Sequence, residues 1–223
     1  MSGPAIELRR IGAEAQPLVV IDGFAADPDA LRVAAAATPF GAAAHYYPGI
    51  RAPLPAAYWQ AQQPIVDAAV ARAFGAGRAR LIDASFSMVT RAPAALTAAQ
   101  RLPHCDAHTP DRIAMIHYLS PETDGTAFFR HRSTGFETVD EARAPAYRER
   151  LDAELRDGPR PAGYIAGDTP LFERIARVDA RPNRAALYRS FLLHSGAIAP
   201  DAVLSPDPAR GRLTVTAFFT LEP

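Results

Sequence analysis

Arg101-Leu-Pro-His104-Cys-Asp106-Ala-His108-Thr-Pro-Asp-Arg112-Ile-Ala-Met-Ile-His-Tyr118-Leu119 is the stretch around which this chain is organised. His104 and Asp106 flank a single residue, and an apolar run follows them directly. In an extended strand, residues i and i+2 project from one face, so this imidazole and this carboxylate can converge on one ion. Completed by a second histidine from elsewhere, they would form a 2-His-1-carboxylate facial triad, which leaves positions open for substrate and O₂ on Fe(II). His-x-Asp alone is a short pattern that arises by chance, so the rest of the chain has to supply the missing parts.

The segment Arg184-Ala-Ala-Leu-Tyr188-Arg-Ser190-Phe-Leu192-Leu-His194 offers the third ligand. Read as one regular strand, it puts Ala186, Tyr188, Ser190, Leu192 and His194 on one face, so His194 can point inward. Further on, Gly211-Arg212-Leu213-Thr214-Val-Thr216-Ala-Phe218 alternates strongly, with Arg212 and Thr214 sharing a face. A dicarboxylate needs a bidentate cation and a hydroxyl at its far end, and Arg-x-Thr on one face can provide both.

His104-x-Asp106, then Arg112, Ile116-His117-Tyr118-Leu119 and Gly125-Thr126-x-Phe128, followed late by His194 and by Arg212-x-Thr214, resemble the prolyl-4-hydroxylase-like branch of the 2-oxoglutarate/Fe(II)-dependent dioxygenases. The resemblance covers roughly residues 85 to 221. It implies a mainly β core of the α+β class, a double-stranded β-helix (a jelly-roll or cupin-like barrel of about eight strands), with N-terminal helices packed on one sheet. It implies that His104, Asp106 and His194 bind Fe(II) and that Arg212 and Thr214 hold the distal carboxylate of the cosubstrate 2-oxoglutarate. Tyr118 would line or bond that cosubstrate, and O₂ would be the oxidant. Two features depart from the family pattern. Eighteen positions separate His194 from Arg212, more than is usual there, which makes Ser195 to Gly211 an inserted loop, and Asp124 replaces the first glycine of a common Gly-Gly-Thr.

Composition narrows the function classes. At 223 residues and 48% hydrophobic, the chain can bury one good core, and a single domain, 1–223, is expected. The formal charge is zero, so no global basic field points to nucleic acid, and a nucleic-acid partner is not expected. All 24 basic residues are Arg, which excludes a Schiff-base lysine and a Walker-type loop, so any fixed cation in the site is Arg. Cys105 is the only cysteine, so no intrachain disulfide and no Cys-rich zinc site can form. There is no signal-like N-terminus and no apolar run approaching about 18 residues, so a cytoplasmic protein without a membrane partner is expected.

In chain order, Leu18–Asp22 reads as a strand, and Asp27-Pro28 as an N-cap with Pro at the first helical position, opening a helix to about Ala37. His45 to Pro55 reads as a loop, rich in Pro and Gly, that carries aromatic residues and Arg51. Apolar spacing over Ala56–Phe74 predicts a helix stopped by Gly75. Residues 1–80 thus form a helical support region, and 81–223 the core. Leu81–Val89, Arg112–Leu119 and Thr126–His131 read as strands, with a turn over Ser120–Gly125. Thr138-Val-Asp-Glu141 has the form of a capping box, opening a helix from about Val139 to Arg156 within an insertion of about 139–175. Ile175–Asp179, Arg184–Leu193 and Arg212–Leu221 read as later strands, with Pro182-Asn183 as a hairpin turn.

Taken singly, each site residue has a plainer role: His104 or Asp106 capping a loop or turn, His194 satisfied in the core, Arg212 paired at the surface. Their joint occurrence in the right order favours the metal site. His108, His117 and His131 read as structural or supporting, and Cys105 as a small buried residue. The expected activity is hydroxylation of a peptide, amino acid or small metabolite, with the oligomeric state open. The rivals are a cupin-type metal hydrolase or isomerase, which needs no Arg-x-Thr pair, and a non-catalytic barrel that binds without metal.

Overall fold

The apolar run after Asp106 becomes strand β6 (Arg112–Tyr118), and all of its residues after Arg112 are buried. A run that is apolar at nearly every position marks a strand covered on both faces. Ile113 and Met115 pack into one core, while Ala114, Ile116 and Tyr118 pack into another on the opposite face. The computed structural model describes residues 3–43, 46–120, 124–158, 161–202 and 204–223.

The described residues form an α+β protein with two antiparallel sheets and three α-helices. The larger sheet contains β1 (Ala5–Ile11), β2 (Gln16–Asp22), β3 (Gly41–Ala42), β4 (Gly49–Pro53), β5 (Arg78–Val89), β6, β9 (Arg184–Arg189) and β11 (Leu213–Glu222), in the order β1-β2-β9-β6-β11-β5-β4-β3. The smaller sheet contains β7 (Gly125–His131), β8 (Phe172–Asp179) and β10 (His194–Gly196), in the order β10-β7-β8. Helices α1 (Pro28–Ala36) and α2 (Ala57–Phe74) pack on the larger sheet through Ala35, Val66, Ala69, Val70 and Ala73. The facing sides of the two sheets share a core that includes Val20, Ile116, Phe128, Val178 and Tyr188. On the far side of the smaller sheet, Phe129 and Phe172 meet Tyr147, Leu151 and Leu155 of α3 (Ala144–Asp157). The order of layers is therefore helices, large sheet, small sheet, helix. No helix among the described residues is long and apolar enough to cross a membrane.

Both N-terminal helices end as their sequences predict: the Asp27 carboxylate accepts from Ala30 N at 2.9 Å, and Gly75 closes α2 at φ 70°. Other expectations are corrected. Residues 1–80 are not only helical, because β1 to β4 lie there and extend both edges of the large sheet. The segment expected to be a loop around Tyr47–Pro55 includes β4, which pairs with β5 and so satisfies its backbone despite its prolines; His45 itself lies outside the described residues. The turn over Ser120–Gly125 also lies partly outside them, at residues 121–123.

The capping box at Thr138 does not form. Val139 N donates to Phe191 O at 2.9 Å, Thr138 forms an isolated bridge to Leu192, and the Thr138 hydroxyl donates to Glu14, so this backbone stays extended and the helix starts only at Ala144, with Pro145 in its first turn. Pro182-Asn183 turns the chain as expected, with Asn183 at φ 60°, yet it carries the chain from one sheet to the other and is not a hairpin. Strand β9 ends at Arg189 rather than Leu193.

Glu137 fastens the turn between β1 and β2 to the approach to α3. Its carboxylate, with no exposed surface, accepts from Ala13 N and Glu14 N at 2.9 Å and pairs with Arg130. Glu137→Ala removes the acceptor of two part-buried N–H groups and the shorter of the two carboxylate pairings of Arg130, which keeps Glu173, a loss of about 2 kcal/mol. Urea unfolding should show the midpoint falling accordingly with the slope unchanged; an unchanged midpoint would mean that the network contributes nothing.

Candidate metal centre

His104 and His194 come together through their backbones. His104 N donates to His194 O and His194 N to His104 O, both at 2.9 Å, which makes them a hydrogen-bonded antiparallel pair with side chains on one face. Their ring centroids lie 4.5 Å apart. Asp106 is anchored by its own N–H, which donates to Ser190 O at 2.8 Å. Its carboxylate then reaches both rings, with Oδ2 3.3 Å from His194 Nε2 and Oδ1 3.6 Å from His104 Nε2.

His194 gets to this position by a route that strand parity does not describe. After Ser190 the chain leaves the large sheet, turns through Phe191, and rejoins at Leu192, bridged to Thr138, and at β10, paired with β7. The single strand expected over Arg184–His194 is thus two pieces in two sheets. The inward face of His194 is set by its pairing with His104.

These three side chains fit a divalent metal. One ligand atom from each lies within 4.8 Å of the others, whereas facial ligands at about 2.1 Å from an ion stand about 3 Å apart. Small rotamer adjustments close that difference. His194 Nδ1 lies 2.8 Å from Leu192 O, so the proton is assigned to Nδ1 and Nε2 keeps its lone pair toward Asp106. Support of this kind is what a ligating imidazole requires from its surroundings.

Electrostatics agree with that geometry. Protein atoms crowd the His104 ring and, with the nearby His194, hold its pKa down to about 4, although the cavity side of the ring is open and the side chain is 55% exposed. Burial acts to raise the Asp106 pKa, but the charge and hydrogen bond of His194, then His104 and Arg51, leave it below the ordinary carboxylate value. Burial acts to lower the His194 pKa, and the Asp106 charge outweighs it, so this imidazole holds its proton to higher pH than a free one.

The triad opens on a cavity of about 600 Å³ between the sheets. Arg212, just before β11, lines it together with Thr214, Thr216 and Phe218 of β11, so Arg212 and Thr214 share a face as expected. Arg212 is 8% exposed; its Nη2 donates to Gly125 O at 2.9 Å, while its buried Nε has no hydrogen-bond partner. The Thr214 hydroxyl donates to Ser87 O at 3.0 Å and must rotate to serve a ligand. Tyr118, expected in the lining, lies behind it: its ring is 5.8 Å from the Arg212 guanidinium carbon, and its hydroxyl bonds to Thr126 Oγ1 at 2.8 Å. Thr126 and Tyr188 occupy the wall instead.

Tyr47 and Arg51 also line the cavity. The sequence marked their segment as a loop bearing aromatics and one Arg, and only strand pairing places it against the site. From the insertion, Tyr164 and Ile165 reach the cavity, whereas α3 covers the back of the small sheet. The remaining histidines among the described residues are occupied elsewhere. His108 bonds Val139 O, His117 bonds Tyr58 and Asn183 on the helix side of the large sheet, and His131 bonds Glu154 and Thr134. Cys105 is only partly buried, 3.7 Å from His108 Nδ1, with its thiol pushed up to about 11 by burial and Asp106.

A family model described as "Family of unknown function (DUF6445)" matches residues 2–219, and the chain belongs to that family. No curated protein matches it.

A histidine binds a metal only after losing its proton. Among the three ligands His194 has the raised pKa, while His104 and Asp106 are shifted down and stay in their ligand forms through the neutral range. Divalent-metal affinity should therefore be full above the His194 pKa and fall by about tenfold per pH unit below it, with one proton released per ion bound. Calorimetric Zn(II) titrations from pH 8 to pH 6 in two buffers check this; an affinity flat across that range would contradict it.

Proposed function

We propose that this member of the DUF6445 family is a non-haem Fe(II)- and 2-oxoglutarate-dependent oxygenase, with the two sheets forming a double-stranded β-helix. The observation that carries this reading is the meeting of His104, Asp106 and His194 in a cavity that also holds Arg212, whose buried Nε–H has no partner. Buried donors are almost always satisfied, so an unpaired guanidinium N–H in a cavity calls for an anionic ligand.

His104, Asp106 and His194 would hold the iron. Iron held there would supply the O₂ chemistry of this class, in which oxidative decarboxylation of 2-oxoglutarate to succinate and CO₂ takes up one oxygen atom and hydroxylation of a substrate C–H bond the other. The Leu192 carbonyl holds the Nδ1 proton of His194 and keeps Nε2 free as a ligand. Arg212, packed over Tyr118 and tethered to Gly125 O, is positioned to bind the distal carboxylate of 2-oxoglutarate. Ile116, Tyr188 and Phe218 give apolar surface to the same cavity, against which a substrate carbon chain could pack.

A cupin-type hydrolase or isomerase would share the three ligands but has no use for a buried, unpaired arginine across from them.

His104→Ala or Asp106→Ala should abolish Fe(II) binding while far-ultraviolet circular dichroism stays that of the parent, because neither side chain fills the core. Arg212→Leu should retain the metal but lose 2-oxoglutarate affinity by about a hundredfold, the equivalent of about 3 kcal/mol for stranding a buried carboxylate. The anaerobic visible absorbance that Fe(II) and 2-oxoglutarate produce together reads both effects. An Arg212→Leu variant that binds 2-oxoglutarate as the parent does would favour the cosubstrate-free reading.

A further inference from the structure

The cavity holds more positive charge than iron and 2-oxoglutarate can neutralise. Arg51, Arg101, Arg112 and Arg212 line it, against Asp83 and Asp106, and none of the four arginines forms an ion pair among the described residues. Arg101 is tethered through Pro161 O and Ala94 O, and Arg212 through Gly125 O. Arg51 differs from these two: among the described residues its guanidinium forms no hydrogen bond, as is also true of Arg112, but its Nε is buried and it packs on the ring of Tyr47, 4.6 Å from the guanidinium carbon. The Tyr47 hydroxyl is buried and makes no close hydrogen bond; it faces Ser87 and Thr214 and feels the charge of both Arg212 and Arg51.

Strand register puts this pair in the working space. Arg51 is opposite Ser87, and Ser87 is opposite Thr214, so the three form one row across β4, β5 and β11 and share a face. The metal ligands come instead from β10 and the segment bridged to it, on the small-sheet side of the same cavity. The charge of Arg51 reaches Asp106 and helps to hold its carboxyl ionised.

Charge balance then distinguishes Arg51 from Arg212. A divalent ion with Asp106 and one carboxylate of 2-oxoglutarate is neutral, and Arg212 with the other carboxylate is neutral. Arg51 is left as a partly buried cation whose buried Nε–H has no acceptor, an arrangement that costs free energy unless an anion joins it.

Resting on the 2-oxoglutarate reading for Arg212, we propose that the substrate to be oxidised is a small organic acid whose carboxylate seats on Arg51, with the Tyr47 hydroxyl as a second donor. A cavity of about 600 Å³ suits small molecules and not a folded partner. The carboxylate anchors the substrate on the large-sheet side and leaves its carbon chain to extend toward the triad.

The Nε–H groups themselves report the test. In Zn(II)-loaded protein labelled with ¹⁵N, the Arg51 and Arg212 Nε–H resonances are identified by their loss in Arg51→Gln and Arg212→Gln. 2-Oxoglutarate should shift Arg212 to saturation. With 2-oxoglutarate saturating, a series of carboxylates (propionate, glutarate, benzoate and phenylacetate) should include at least one that shifts Arg51 to saturation without moving Arg212. Arg51→Gln should weaken that acid by about tenfold or more, while Arg212 still responds to 2-oxoglutarate, which shows the variant folded. The proposal is overturned if Arg51 moves with Arg212 in the 2-oxoglutarate titration, if it responds to none of the acids, or if only inorganic phosphate shifts it. Failure of Arg212 to respond to 2-oxoglutarate would instead overturn the functional reading on which the proposal rests.

Discussion

Two backbone hydrogen bonds of 2.9 Å, exchanged between His104 and His194, join the loop before β6 to the edge of the small sheet. Both imidazoles are thereby carried on one antiparallel pair, and their approach depends on sheet geometry and not on side-chain packing. The Asp106 carboxylate is held in turn by its own N–H on Ser190 O, at the point where the chain departs from β9. Each candidate ligand is thus placed by backbone bonding, which leaves side-chain lone pairs that could bind an ion. Substitutions at the ligands therefore separate metal binding from folding, whereas Glu137, which ties the β1–β2 turn to residue 137, belongs to the fold itself.

The layered arrangement explains why the site is open where it is. The core between the sheets is filled by Leu18, Val20, Phe128, Val178 and Ala186 toward one end, and the cavity occupies the remainder. Along that face run Arg212, just before β11, then Thr214, Thr216 and Phe218 within it. The wall therefore runs from charged to apolar along one strand. Unpaired N–H and O–H groups on Arg212, Arg51 and Tyr47 mark the charged end, and such groups are tolerated only where a ligand or water completes them.

Much of this was legible in the residue order, and the failures have identifiable causes. The helix ends at Asp27 and Gly75 depend on local cap chemistry, which a sequence carries in full. The two-sided burial of β6 was written in its unbroken apolar run. His194 lies beside His104 and Asp106, but the regular strand supposed to aim it ends at Arg189, because long-range bonds from Val139 to Phe191 and from Leu193 to Glu137 draw residues 191–193 away from β9. The same pairing overrode the capping-box pattern at Thr138. Arg51 was seen only as an arginine in a loop, since β4 exists through its partner β5 and has little strand character of its own. Tyr118 has the right parity but the wrong depth: it packs beneath Arg212 and bonds Thr126. Local signals survive in sequence, and positions created by pairing of distant strands do not.

The central claim is that one cavity holds a metal on His104, Asp106 and His194 and a dicarboxylate on Arg212. A crystal structure grown anaerobically with Mn(II) and 2-oxoglutarate tests it most directly. The account predicts an ion bonded to His104 Nε2, an Asp106 carboxylate oxygen and His194 Nε2 at about 2.0–2.3 Å, with the far carboxylate of 2-oxoglutarate paired to the Arg212 guanidinium. An ion bound elsewhere, or an acid seated away from Arg212, would contradict it.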